Sequence, residues 1–470
     1  MISFILRLKI NKNLVFVFLI GCLIRIIPEI IAYPYPIGYD TINYYIPLTS
    51  EVEFDSLNYQ FNIFPYLLYV LKTSTSLDPH NLMIVLSSTF YGFFSLSIYL
   101  LLQGLVIKPV WFMTIFILFQ ISTLRTTWDL QKDILALSFT FLIFYLILKD
   151  RKLYFYKKKI IHFCLIISLV IITILTDTMI SFLLIISLSI YFSIKKDRKY
   201  IILLTIIIIT IVSIFVLIDN INNNSFSRNI NKILNGNIKE NLNYTPLNLG
   251  ILFIMINILL FPFFIYGIKN LHELLLYIPL SLALVGSFTW LVLPYSSILL
   301  PDRWITISGI FISIFSSYGL IRLFSSKSKN KPNYKILLPI LSLYICIGLF
   351  YMILPNDYAF PVYGIFSNYT QKFVPTTMQF NSIDIADNRD LLITIDWLNN
   401  NTNSKSIIYG ESHLRGWMKI LLKDQRTLKY NYTNFSKNGI YIILADNINS
   451  VNHPVKLLFS QGAFKIIEKK

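Results

Sequence analysis

Carboxylates and fixed cations recur at the ends of long apolar runs in this chain, and those are the residues with types and spacing suited to chemistry. Arg25 and Glu29 lie four residues apart in RIIPEI, and Asp40 follows in PIGYDTINYY with Tyr44 close by. Arg125, Asp129, Lys132 and Asp133 share TLRTTWDLQKDILALSF, Asp177 sits in LTDT, and Asp302 and Arg303 stand together in PDRW. A charge near or within a membrane span costs several kcal/mol unless it is paired or used. A carboxylate in such a position can take the proton of an attacking hydroxyl. A neighbouring Arg or Lys can hold a phosphate and neutralise the charge that develops as it leaves. Arg25 and Glu29, one helical turn apart, read as a structural ion pair. Arg125 and Asp133 read equally well as interfacial anchors and as members of a site.

Other chemistries find less material. His80, His162, His272, His413 and His453 are scattered with no pair at metal-ligand spacing, and His162 reads as a solvated or lipid-headgroup contact. No phosphate-cradling G-x-x-x-x-G-K-[ST] loop is present, so no ATP-driven pump is encoded. Cys22, Cys164 and Cys346 each lie inside an apolar run and read as filler. The run LIGC ending at Cys22 resembles a lipoprotein cleavage box, but the apolar stretch continues to Ile31, which favours an uncleaved span. No residue set demands a cofactor. The carboxylates Glu51, Glu53 and Asp55 of EVEFD would admit a divalent metal ion, although such a run is more often a solvated strip.

The elements that must position these residues are membrane spans. The chain has 470 residues, 55% of them hydrophobic and 14% charged. Its apolar runs approach the ~20 residues that cross a bilayer, whereas a soluble helix needs a polar face. About eleven spans are expected, near 14–32, 82–104, 109–122, 131–148, 160–176, 178–194, 200–218, 249–268, 273–294, 304–323 and 335–354. The stretch NIFPYLLYVL reads as an interfacial helix.

Charge then orients the bundle. Lys and Arg gather in DRKLYFYKKK, KKDRK and SSKSKNKPNYK, which fall on one side and make the N-terminus cytoplasmic. The opposite side takes 33–81, 123–130, the Thr176–Asp177 turn, 219–248, 295–303 and everything after about 355. Sequons at Asn223, Asn243, Asn368, Asn400, Asn431 and Asn434 all fall on that outer side. The net charge of +17 is accounted for by these loops, so nucleic acid is not an expected partner.

Two regions result: a transmembrane domain, 1–354, whose first outer loop is 33–81, and an extracytoplasmic α/β domain, 355–470. The second is expected to hold helices in NRDLLITIDWLNN and ESHLRGWMKILL and strands in SIIYG, TLKYNY, IYIILAD and VKLLFS.

The order of these features resembles the glycosyltransferase C superfamily, polytopic enzymes that take sugars from lipid phosphates. RIIPEI followed by PIGYDTINYY is similar to that superfamily's Arg–Pro span end and its Gly-x-Asp loop with tyrosines, which implies that Asp40 is the catalytic base. WDLQKDILALSF resembles a segment of archaeal members and implies that Asp129 and Lys132 lie near the donor phosphate. LLPDRW resembles the start of a late span and implies Arg303 on that phosphate. Asp177 stands where many relatives have histidine, which leaves it as a second acid, a metal ligand or a polar turn residue. Ser308–Gly309 stands where a proline is usual. The C-terminal domain lacks a Trp-Trp-Asp motif, which argues against an oligosaccharyltransferase.

The expectation is a multi-pass plasma-membrane glycosyltransferase that uses a polyprenyl or dolichyl phosphate donor and a protein, glycan or lipid acceptor, among membrane lipids. Its accessory residues would be Asp177, Asp302, Arg125 and Tyr44. The Ile/Asn/Lys bias and dense sequons give it an archaeal-like character. Two other readings stay open: a flippase for lipid-linked glycans, and a catalytically silent subunit of a glycan-assembly complex. The transferase reading expects Asp40 within about 10 Å of Lys132 and Arg303, with room between for a sugar and its phosphate.

Overall fold

The computed structural model describes residues 12–34, 37–38, 40–46, 63–105, 108–150, 156–196, 246–292, 300–325, 332–353, 387–402, 406, 408–410, 414–422, 427–429, 439–444 and 456–469. The expected span 200–218, the EVEFD strip and every sequon except Asn400 lie outside them.

Apolar helices dominate. They are α1 (Lys12–Ala32), α2 (Ile63–Thr75), α3 (Pro79–Gly104), α4 (Val110–Leu118), α5 (Ile121–Asp129), α6 (Gln131–Asp150) and α7 (Tyr156–Thr176). After these come α8 (Thr178–Lys195), α9 (Pro246–Asn257), α10 (Phe261–Asn270), α11 (Leu274–Ser287), α12 (Pro301–Leu323) and α13 (Tyr334–Ile353). Among the described residues seven helices are long and apolar enough to cross a membrane, or nine if each of two bent pairs is one span. The expected span 160–176 falls within α7, which carries the apolar stretch Ile161–Thr176.

Two expected spans are broken, and one expected loop is helix. The chain bends by 59° between α4 and α5 and by 75° between α9 and α10. Residues 123–130, expected as an outer loop, lie largely in α5 with Arg125 and Trp128 buried. Two of its hydroxyls turn back on the helix, with Thr126 donating to Ser122 O at 2.7 Å and Thr127 to Leu124 O at 2.7 Å, while those of Ser122 and Thr123 find no hydrogen-bond partner among the described residues. Those two bonds offset part of the cost of burying a polar sequence. Similarly, His162 is buried rather than solvated.

Helix α12 is the centre of the bundle, buried on all sides from Ile305 to Ile321. Its serines remain compatible with that position because Ser308, Ser313 and Ser317 each donate to the carbonyl three residues back, and Ser316 to that of Ile312. It meets α10 backbone to backbone. A Cβ at Gly319 would collide with the carbonyl oxygen of Phe263, and one at Gly267 with that of Phe315. Small residues let membrane helices approach this closely, where dispersion replaces the hydrophobic drive.

The C-terminal part holds α14 (Asn388–Asn401), α15 (Arg415–Leu421) and strands β1 (Ile408–Gly410), β2 (Thr427–Lys429), β3 (Gly439–Leu444), β4 (Lys456–Gln461) and β5 (Phe464–Lys469). The sheet order is β2-β1-β3-β5-β4. β1 pairs parallel with β2 and β3, with α15 as the β1–β2 crossover, and β5 is antiparallel to β3 and β4. Leu391, Ile395 and Leu398 of α14 face this small core at helical spacing. Strand β5 is not among the strands expected from the sequence. Gly462, at a φ of 49°, closes a two-residue hairpin that turns the chain end back onto the sheet.

Candidate functional site

Three helices begin at one end of the bundle and bring their first turns together. They are α6 with Gln131, Lys132 and Asp133, α8 with its cap Asp177, and α12 with Asp302 and Arg303. The unpaired N–H groups of such helix starts favour anions. Leu300 precedes α12 in the left-handed region, at a φ of 48°. A residue with a Cβ pays roughly 1–2 kcal/mol there, so the approach to the Asp302–Arg303 turn is strained.

Asp40 reaches this end from the loop after α1. Gly38, with a φ of 94°, makes the turn, and the Ile42 amide bonds to Gly38 O at 3.0 Å. Residues Thr41–Tyr45 then form one π-helical turn with Asp40 at its head. Such turns often occur at functional sites. Successive side chains leave it in different directions. Asp40 Oδ2 lies 3.4 Å from Nη2 of Arg303. Thr41 Oγ1 accepts a hydrogen bond from Gln131 Nε2 at 3.1 Å. Ile42 enters the core of the C-terminal domain, and Tyr45 packs on Phe64 with ring centres 5.0 Å apart.

Arg303 also approaches a second carboxylate, with Nη1 4.0 Å from Asp133 Oδ2. Asp133 is 0% exposed, and its side chain lies close to that of Asp177. Lys132 Nζ lies 3.5 Å from Asp177 Oδ2, while Asp177 Oδ1 accepts from the Ile180 amide at 2.9 Å. Asp177 is thus both a helix cap and the partner of Lys132. Asp302 is buried in the first turn of α12 and Arg125 is buried in α5, and both act electrostatically on Asp40. Among the described residues no group of three His, Cys, Asp or Glu side chains is placed to hold a metal ion.

Burial pushes the Asp40 carboxyl above its ordinary value. Arg303, Lys132 and Arg125 oppose that rise, and Asp302 adds to it. The Tyr45 phenol is held well above its usual value by burial and then by the Asp40 and Asp133 carboxylates, so it stays protonated.

Several residues singled out in the sequence thus come together: Asp40, Lys132, Arg303, Asp177, Asp302 and Arg125. Arg303 meets the distance expectation, and Lys132 is near enough to act electrostatically on Asp40. The room expected between Asp40 and Arg303 is absent, because the two make direct contact. Asp129 ends α5 and Tyr44 lies in the π turn, but neither side chain is among those described. Asp133 reads from the sequence as an anchor as readily as a site member, yet it is the most buried carboxylate here. Sequence reasoning also misses Gln131, Ile42 and Tyr45. An acidic residue in the first turn of a helix beside a lysine is the available signal for Asp133. No sequence signal singles out Ile42.

Arg25 and Glu29 form the expected ion pair, 2.7 Å apart and buried. Arg25 Nε also donates to Thr127 O at 3.1 Å, so the pair ties α1 to α5 behind the site. Cys22, Cys164 and Cys346 are free thiols. No protein-family model matches this sequence, and no curated protein does.

Proposed function

We propose that this protein is a multi-pass membrane glycosyltransferase that moves a sugar from a polyprenyl or dolichyl phosphate to an acceptor hydroxyl on the outer face. The observation that carries the reading is the contact of Asp40 with Arg303 at the end of the bundle where α6, α8 and α12 begin. A carboxylate beside a cation, at the level of helix starts, matches the needs of a hydroxyl attacking next to a lipid phosphate. The donor phosphate takes Arg303 and Lys132, which releases Asp40 from its ion pair. Asp40 removes the acceptor proton, and the acceptor oxygen bonds to the anomeric carbon from the side opposite the phosphate. The sugar–phosphate C–O bond breaks, its electron pair leaves with the lipid phosphate, and the configuration inverts.

In this reading the chain has about eleven spans, a cytoplasmic N-terminus and an extracytoplasmic C-terminal domain in the plasma membrane. The flippase reading is less favoured, since the ion pairs of Asp40, Asp133, Asp177, Lys132 and Arg303 gather at one end of the bundle instead of lining a path through it. The test is purified Asp40→Asn assayed for sugar release from radiolabelled polyprenyl- and dolichyl-phosphate hexoses and pentoses with envelope acceptors. Wild-type protein should turn over and the variant should lose at least about a hundredfold. Wild-type rates in the variant would sink the mechanism.

A further inference from the structure

The π turn that carries Asp40 belongs to two cores at once. Tyr45 and Ile46 are part of the large core of the bundle, together with Phe64 and Phe90. Ile42, three residues before Tyr45, is 0% exposed and belongs instead to the core of the C-terminal domain, with Leu391, Leu414, Trp417, Met418 and Ile466. Helix α15 packs directly on the 41–45 turn. Thr41, beside Asp40, is tied to Gln131 of α6. Asp40 is therefore fixed from both sides, by the bundle through Thr41 and Tyr45 and by the C-terminal domain through Ile42.

We propose that Ile42 is a positioning residue through which the C-terminal domain holds Asp40 against Arg303. Tyr45 and Ile46 anchor the end of the turn in the bundle, and burying Ile42 in the second core ties its start to the C-terminal domain. The consequence is that loosening the domain's hold frees Asp40 from Arg303, the release that donor binding requires. Only this catalytic consequence rests on the transferase reading, since the positioning itself is a property of the fold.

The test labels Asp40 in the full-length protein with a hydrophobic carbodiimide and reads the modified peptide by mass spectrometry across a pH series. In Ile42→Ala the labelling rate at low pH, where the carboxyl is protonated in every variant, should rise about tenfold or more, as expected when a core contact of this size is removed. Loss of burial lowers the midpoint of the profile and loss of Arg303 raises it; burial is the larger influence, so the midpoint should fall towards an ordinary carboxylate, which a purely structural defect elsewhere would not cause. Met418→Ala, on α15, should act in the same direction. Ile42→Val should restore most of the wild-type profile, and Leu457→Ala, an exposed position on β4, should leave it unchanged.

Unchanged labelling in a folded Ile42→Ala protein overturns the proposal. If that variant does not fold, unchanged labelling in Met418→Ala overturns it instead. A parallel assay of sugar release separates the two readings. If wild-type protein releases no sugar while labelling responds as described, the transferase reading fails and the positioning role stands. If wild-type protein is active and the labelling is indifferent to Ile42, the reverse holds.

Discussion

Replacing Arg303 tests the site most directly, because two of its nitrogens serve two carboxylates. Nη2 is 3.4 Å from Asp40 and Nη1 is 4.0 Å from Asp133. At an effective dielectric of about 20, those separations correspond to attractions of about 5 and about 4 kcal/mol before desolvation is subtracted. Arg303→Ala removes both and leaves Asp133, fully buried, without that cation. It also removes the group proposed to meet the leaving phosphate, which is worth about a hundred- to a thousandfold in rate where such groups have been deleted. Arg303→Lys keeps the charge, but one ammonium cannot span both carboxylates, so a loss of roughly ten- to a hundredfold is expected. The assay is kcat/KM for release of lipid phosphate, with thermal unfolding as the control for folding. The order wild type, then Lys, then Ala is required. An alanine variant within about threefold of wild type would refute the assignment, because no charge-stabilising role is that small.

Three further outcomes follow from the same geometry. Asp40 works as a base only when ionised, and burial raises its pKa, so kcat/KM should climb with pH along an acid limb centred above the ordinary carboxylate value. Because the folded pKa is the higher one, this group's contribution to stability is fully present below the unfolded value and is lost as pH rises through the folded one; a limb at or below the ordinary value would contradict the assignment. Around the site, Asp40, Asp133, Asp177 and Asp302 outnumber Arg125, Lys132 and Arg303, so binding of undecaprenyl phosphate should take up protons and weaken as pH rises. Calorimetry in buffers of different ionisation enthalpy reads this, and no uptake would count against anion binding here. Finally, Glu29→Gln strands Arg25 in the bundle and should cost about 3–5 kcal/mol of stability, seen as a clear drop in unfolding temperature, whereas an unchanged temperature would mean the pair is not buried.

Much of the architecture is legible in the sequence because the signals are local. Runs of apolar residues near bilayer length announce helices, and the strand and helix periods of the C-terminal part announce an α/β unit. The breaks are harder to read. Residues 123–130 look like a polar loop, whereas the hydroxyl bonds of Thr126 and Thr127 and the Arg25 contact help hold most of them in a buried helix. Strand β5 escapes notice because three of its six residues, Lys465, Glu468 and Lys469, are charged. Pairing with β3 on one side and β4 on the other is what makes it a strand.

The same division runs through the site. Charge type and position at span ends suffice to single out Asp40, Lys132, Arg303 and Asp177, since a charge at an apolar boundary is costly wherever the rest of the chain goes. Which of them touch is decided by tertiary structure: Lys132 faces Asp177, while Arg303 stands between Asp40 and Asp133. The role of Ile42 comes only from the fold. An isoleucine in a membrane protein carries no information by itself, and its meaning arises from the second core that closes over it.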